Sequence, residues 1–141
     1  MSISSKEVPR MTEQDLVCAA LDARGAAYTP YSHFPVGAAL ECEDGTVFRG
    51  CNVENAAFGC TICAERTAVL KAVSEGHRRF RRLAIAGSSG DYCWPCGTCR
   101  QVLSEFAPSL ELLIATENGR YVKTDLAALL PHSFGADTLG E

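Results

Sequence analysis

The chain has 141 residues, 47% of them hydrophobic and 21% charged, enough to bury a core without disulfides. The first ten residues lack the apolar stretch of a signal peptide and no run approaches the ~18 apolar residues of a membrane span, so a cytoplasmic protein is expected. A net charge of −4 and a pI near 5.4 argue against a nucleic-acid partner, which would call for a basic face, and favour a free small molecule.

Thr12 with Asp15 reads as a capping box, and Leu16, Ala19, Ala20 and Ala23 then recur at helical spacing as far as about Gly25. "YTPYSHFP" (28–35) is a rigid loop, because each proline fixes its own φ and restrains its predecessor. "VGAALEC" and "TVFRGCNV" flank "EDG" and predict a hairpin turning at Asp44-Gly45. "ENAAFGCT" is turn-like, and a helix is predicted over 62–75 with Gly76 as its stop.

"HRRFRR" (77–82) reads as a solvated helix-to-strand junction. "RLAIAG" (82–87) is a nearly continuous apolar strand suited to the middle of a covered sheet. A second helix follows Pro95 to about Phe106, with Val102, Leu103 and Phe106 on one face. "LELLIAT" is a strand, "ENG" a turn, "RYVKT" an edge strand and "DLAALL" a short last helix. This α-β-β-α-β-α-β-β-α order predicts an α/β fold with a mixed sheet. One domain over 1–141 is expected, with 1–11 a flexible N-terminal segment and 136–141 a C-terminal tail.

Eight cysteines in a reducing compartment point to metal or redox chemistry where they cluster. Cys18, Cys42 and Cys51 are scattered and read as small hydrophobes. His33, His77 and His132 are isolated and read as structural or solvent-facing. The clustered cysteines are Cys60, Cys63, Cys93, Cys96 and Cys99.

Cys60-x-x-Cys63 with Cys96-x-x-Cys99 could supply four thiolates to a closed structural zinc, although the stretch between the pairs is longer than the usual ~15–20 residues. A helix-start C-x-x-C dithiol is a second possibility, but it leaves Glu65 without a task. The open alternative has Cys63 in the first turn of one helix and Cys96 and Cys99 in the first turn of the next. Helix N-termini favour thiolate, and three sulfurs leave zinc a position for water. Glu65, two residues beyond Cys63, could then touch that water; a plain first-turn acid is the other reading of this residue. Three thiolates make zinc net negative, so a positive group beside them, with Arg66 the candidate, would offset the charge. Cys60, if it reached the metal, would close the site.

"CAERTA" (63–68) and "PCGTCRQ" (95–101) resemble the two halves of the zinc-deaminase signature in its three-cysteine form. With "YSHFPVGAAL" (31–40), "GCNVENA" (50–56) and "LLPHSFG" (129–135), the chain resembles the small homotetrameric cytidine deaminases of pyrimidine salvage. The resemblance implies a three-layer α/β/α sandwich around a mixed five-stranded sheet. It also implies one Zn2+ per subunit, cytidine and 2′-deoxycytidine as substrates, and active sites completed across the subunits of a homotetramer.

By the same resemblance Cys63, Cys96 and Cys99 are zinc ligands and Glu65 is the proton shuttle. Asn52 and Glu54 hold the ribose 3′-hydroxyl, Phe34 packs on the nucleoside, and the Ala64 N–H donates to the base. Phe58 and Phe134 are aromatics offered across subunit boundaries; Phe58 stands where the family commonly has tyrosine. A structural zinc module for protein interaction, and a deaminase of an antibiotic nucleoside or of nucleic acid, are the rival expectations.

Overall fold

A computed structural model describes residues 11–139. The expected flexible segment, apart from Met11, lies outside the described residues. Five strands form one mixed sheet: β1 (Gly37–Cys42), β2 (Val47–Cys51), β3 (Phe80–Ala86), β4 (Glu111–Ala115) and β5 (Tyr121–Asp125), in the order β2-β1-β3-β4-β5. Only β3 and β4 run parallel; β2, β3 and β5 pair antiparallel to their neighbours β1, β1 and β4. The helices are α1 (Glu13–Ala23), α2 (Ala64–Ser74), α3 (Gly97–Phe106), α4 (Leu126–Leu129) and α5 (Ala136–Leu139). Ala136–Leu139 is thus a helical turn within the expected tail. Among the described residues no helix is long and apolar enough to cross a membrane.

The period-two alternation of the strands sorts the core into two layers. Ala38, Leu40, Leu83, Ile85, Leu112 and Ile114 face α2 and α3, meeting Ala64, Ala68, Val69, Ala72 and Leu103. Ala39, Ala84, Ala86, Leu113 and Ala115 face α1, meeting Leu16, Val17, Ala19 and Ala20. Alanine dominates the α1 side, which lets that helix lie close. The result is the expected α/β/α sandwich, with β3 in its central position.

Thr12 and Asp15 form the expected capping box, each side chain accepting the other's backbone N–H at 3.0 and 3.1 Å. The helix α2 ends in a Schellman motif: Gly76, at φ 94°, and His77 donate their N–H groups to Val73 and Ala72. Gly45, also at φ 94°, closes the hairpin. The junction 77–82 differs from the solvated run the sequence suggests. Phe80 is buried, and Arg82 is buried with its Nε donating to Glu41 at 2.6 Å, since β3 begins at Phe80 and turns Arg82 beneath the sheet.

One glycine positions the functional end. A Cβ at Gly50, in β2, would collide with the carbonyl oxygen of Ala64 and the N–H of Ala68. The first turn of α2 therefore rests directly on the β2 backbone.

Candidate active site

Cys63 and Cys96 are the N-caps of α2 and α3, one residue outside the helices, and Cys99 lies in the first turn of α3. Cysteine is not a favoured cap, yet Cys96 Sγ accepts the Cys99 N–H at 3.4 Å as a capping oxygen would. Two helix N-termini therefore aim their unpaired N–H groups at one point. There the three sulfurs lie within 4.8 Å of one another, with Cys63–Cys96 at 3.7 Å and Cys96–Cys99 at 3.3 Å.

A tetrahedral zinc with ~2.3 Å bonds would hold its sulfurs about 3.8 Å apart, so the triad fits the ion with small adjustments. Cys60 is exposed in the short turn Phe58–Cys60 and does not join the converging group, nor does Cys93. The four-sulfur arrangement is therefore not formed.

Glu65, at 4% exposure, is buried beside the triad. Burial pushes this carboxyl up to about 7, and the negative charge of Cys63 adds to the shift. The thiols divide their protons unevenly. A hydrogen bond from Cys99, helped by Arg66, lowers Cys63 to about 5, while the bond to Cys63 and burial push Cys99 upward. Arg66 places Nη2 3.6 Å from Cys63 Sγ and donates to the Thr61 carbonyl at 3.1 Å. Its buried Nε has no hydrogen-bond partner among the described residues. A fixed positive charge thus lies against one sulfur of a donor set that a divalent cation would suit.

A rim borders this centre. Asn52 is a staple: Oδ1 accepts the Val36 N–H at 2.9 Å and Nδ2 donates to the Phe34 carbonyl at 3.0 Å. Glu54 accepts the N–H groups of Tyr31 and Ser32 at 3.1 Å each and the Ser32 hydroxyl. Those donors, the Ser32 hydroxyl foremost, hold the Glu54 carboxyl below its usual range. Each side chain retains unused capacity, one amide hydrogen on Asn52 and a lone pair on Glu54. A cavity of about 300 Å3 is lined by Tyr31, Ser32, Glu54, Phe58 and Thr61.

Phe34 is partly exposed, and its ring edge and Cys93 Sγ fill the space a side chain at Gly87 would need. Ala64, at the head of α2, is fully buried. Phe58, 73% exposed, packs edge-on against Tyr31 with ring centroids 5.6 Å apart. Phe134 is 54% exposed, and its carbonyl accepts from Gln101 of α3 at 2.8 Å.

Sequence reasoning missed Ser32, whose hydroxyl joins Glu54 to the Phe34 N–H, and Arg100, whose guanidinium bridges the Pro95 and Leu129 carbonyls. Both stand inside the quoted motifs, which was the available signal. His77 is not isolated: its Nε2 lies 3.2 Å from Asp44 Oδ2, and its ring meets Phe48 edge-on.

Residues 10–113 match the family described as the cytidine and deoxycytidylate deaminase zinc-binding region. The chain is 46% identical to the cytidine deaminase of Sporosarcina psychrophila over 92% of its own length and 96% of the relative's. It superposes on the crystal structure of the Burkholderia pseudomallei cytidine deaminase with a TM-score of 0.85 at 46% identity, covering 88% of this chain and all of that one. The Mycobacterium tuberculosis cytidine deaminase structure gives a TM-score of 0.74 at 44% identity, over 85% and 94% of the two chains. The triad at two helix N-termini and the sandwich that carries it thus belong together with these proteins, and the chain is a member of the zinc-binding cytidine deaminase family.

Proposed function

We propose that the chain, as a single domain, catalyses the hydrolytic deamination of cytidine and 2′-deoxycytidine to uridine and 2′-deoxyuridine with release of ammonia, as in pyrimidine salvage. The observation that carries the reading is a three-sulfur cluster with a buried glutamate beside it. Cys63, Cys96 and Cys99 would hold one zinc. When bound, that ion supplies Lewis acidity and brings the ionisation of a water molecule near neutral pH. Arg66, against Cys63, offsets the charge of the thiolates, which would otherwise oppose loss of the water's proton.

Glu65 takes that proton and hands it to N3 of the cytosine ring, making C4 more electrophilic. The water oxygen adds to C4. Glu65 then carries the remaining proton from the oxygen now on C4 to the amino group, the C4–N bond breaks as the C4 carbonyl forms, and ammonia leaves. A carboxyl raised toward neutrality serves both directions of this transfer, because neither its acid nor its base form is strongly preferred.

Asn52 and Glu54 bind the ribose 3′-hydroxyl through their remaining donor and acceptor, with Phe34 against the nucleoside and the Ala64 N–H toward the base. A grip on the 3′-hydroxyl favours a free nucleoside over an internal nucleotide of RNA or DNA. Phe58 and Phe134 present exposed aromatic side chains of the kind a neighbouring subunit would cover, which supports a homotetramer. Eight free cysteines fit a reducing cytoplasm.

The test is incubation with cytidine while following loss of the cytosine absorbance. Turnover should vanish on chelation and return with zinc, and a cytosine-containing oligonucleotide should remain unchanged. A zinc-loaded protein that leaves cytidine intact overturns the reading.

A further inference from the structure

At the far end of α2, about 14 Å along the helix from Glu65, a second group of metal-type donors converges. The Cys42 thiol, the Asp44 carboxylate and the His77 imidazole each offer one ligand atom, and the three atoms lie within 4.8 Å of one another. We propose that Cys42, Asp44 and His77 form a second binding site for a divalent transition-metal cation of the zinc type, separate from the three-sulfur centre.

The donors are held by two pieces of backbone, the β1–β2 hairpin and the end of α2. Cys42 ends β1 on the same face as Ala38 and Leu40; its N–H is fixed to the Thr46 carbonyl at 2.8 Å. Asp44 is oriented through Oδ1, which accepts the Thr46 N–H at 2.9 Å, leaving Oδ2 toward the imidazole. His77 is locked by the Schellman motif that closes α2. The site therefore needs no folding of a loose segment to assemble.

Two further observations favour a cation here. His77 Nε2 and Asp44 Oδ2 lie 3.2 Å apart, about the spacing of two ligand atoms on a tetrahedral zinc with ~2.0 Å bonds. The C-terminal carbonyls of α2 end at the same place, and a helix C-terminus favours positive charge. Of the two arginines at this end, Arg78 turns its guanidinium onto the carbonyls of Val73 and His77. A cavity of about 480 Å3 opens over these groups. Imidazole, thiol and carboxylate together suit zinc rather than magnesium or calcium. On binding, the thiol exchanges its proton for the metal, so one H+ leaves for each S–M bond formed.

The inference is independent of the proposed reaction, since none of the three residues belongs to the catalytic centre. Holoenzyme is dialysed to equilibrium against Zn2+ up to about 0.1 mM, with metal per chain and cytidine turnover read on the same samples. The wild type should bind two equivalents. H77Q and D44N should each bind one and keep turnover within about twofold of wild type, as substitutions remote from catalysis do. Titration of a second equivalent of Co2+ should add ultraviolet sulfur-to-cobalt absorption to the wild type but not to H77Q. A wild type that stops at one zinc, a variant that still takes up two, or a second cobalt without the sulfur band overturns the site.

Discussion

Glu65 and Glu54 are two carboxylates serving one proposed substrate, and the fold treats them in opposite ways. Glu65 is buried at the head of α2 beside thiol sulfurs, and loss of hydration lifts it to about 7. Glu54 stands in the exposed rim, where one hydroxyl and two backbone N–H groups hold it low. The first environment makes a proton carrier and the second a permanently charged acceptor. Position supplies the difference: one residue lies in the covered first turn of a helix, and the other faces a loop whose amides are free to donate.

Substitutions can break this contrast, and the largest effect is expected at the proton carrier. E65Q removes the proton transfer while keeping shape and hydrogen bonds, so kcat should fall by about 10^3- to 10^4-fold with zinc content and Tm unchanged. Substantial residual kcat would mean that Glu65 does not carry the proton. G50A tests the support beneath that residue. Its new Cβ would strike the α2 backbone, and urea unfolding should show a loss of about 3 kcal/mol.

E54A should act on binding rather than chemistry, raising KM for cytidine about 10- to 100-fold with a smaller change in kcat. 3′-Deoxycytidine should show a smaller further loss in that variant than in the wild type, since only the Asn52 contact remains to be lost. If E54A instead lowers kcat alone, the two carboxylates are not divided as described.

The smallest effect sharpens the same electrostatic rule far from the site. Glu13 joins α1 to the edge strand β5 by accepting from Tyr121 and Lys123, each at 2.8 Å, and these partners hold its carboxyl below the ordinary 4.5. A depressed carboxyl contributes stability above its unfolded pKa and loses it as pH falls through the folded value. The Tm deficit of E13Q should thus be present at pH 7 and shrink as the pH drops below about 4.5. A deficit independent of pH would assign the effect to packing.

Much of this was legible from residue order because it rests on local pattern. The capping box at Thr12, the hairpin at Asp44-Gly45, the stop at Gly76 and the apolar runs of β3 and β4 are short-range signals, and each element formed where they lie. The sulfur triad was legible because three-residue spacing at predicted helix starts restricts where the side chains can point. The helix starts themselves fell later than Ile62 and Pro95 suggested, since a cysteine cap carries none of the usual serine, threonine or aspartate signature.

The remaining features depend on contacts between distant segments. Nothing local to Gly50 reveals that α2 will rest on it, and Ser32 acquires its role only when Glu54, 22 residues on, folds back over it. The same holds for Cys42 and His77. Each reads as isolated in the chain until the hairpin and the end of α2 meet.

X-ray absorption at the zinc edge of the holoenzyme tests the central claim directly. With the second site unoccupied, at one zinc per chain, the account predicts three sulfur neighbours at about 2.3 Å and one oxygen near 2.0 Å. Four sulfurs, with Cys60 or Cys93 completing the shell, would leave no place for water and would contradict it.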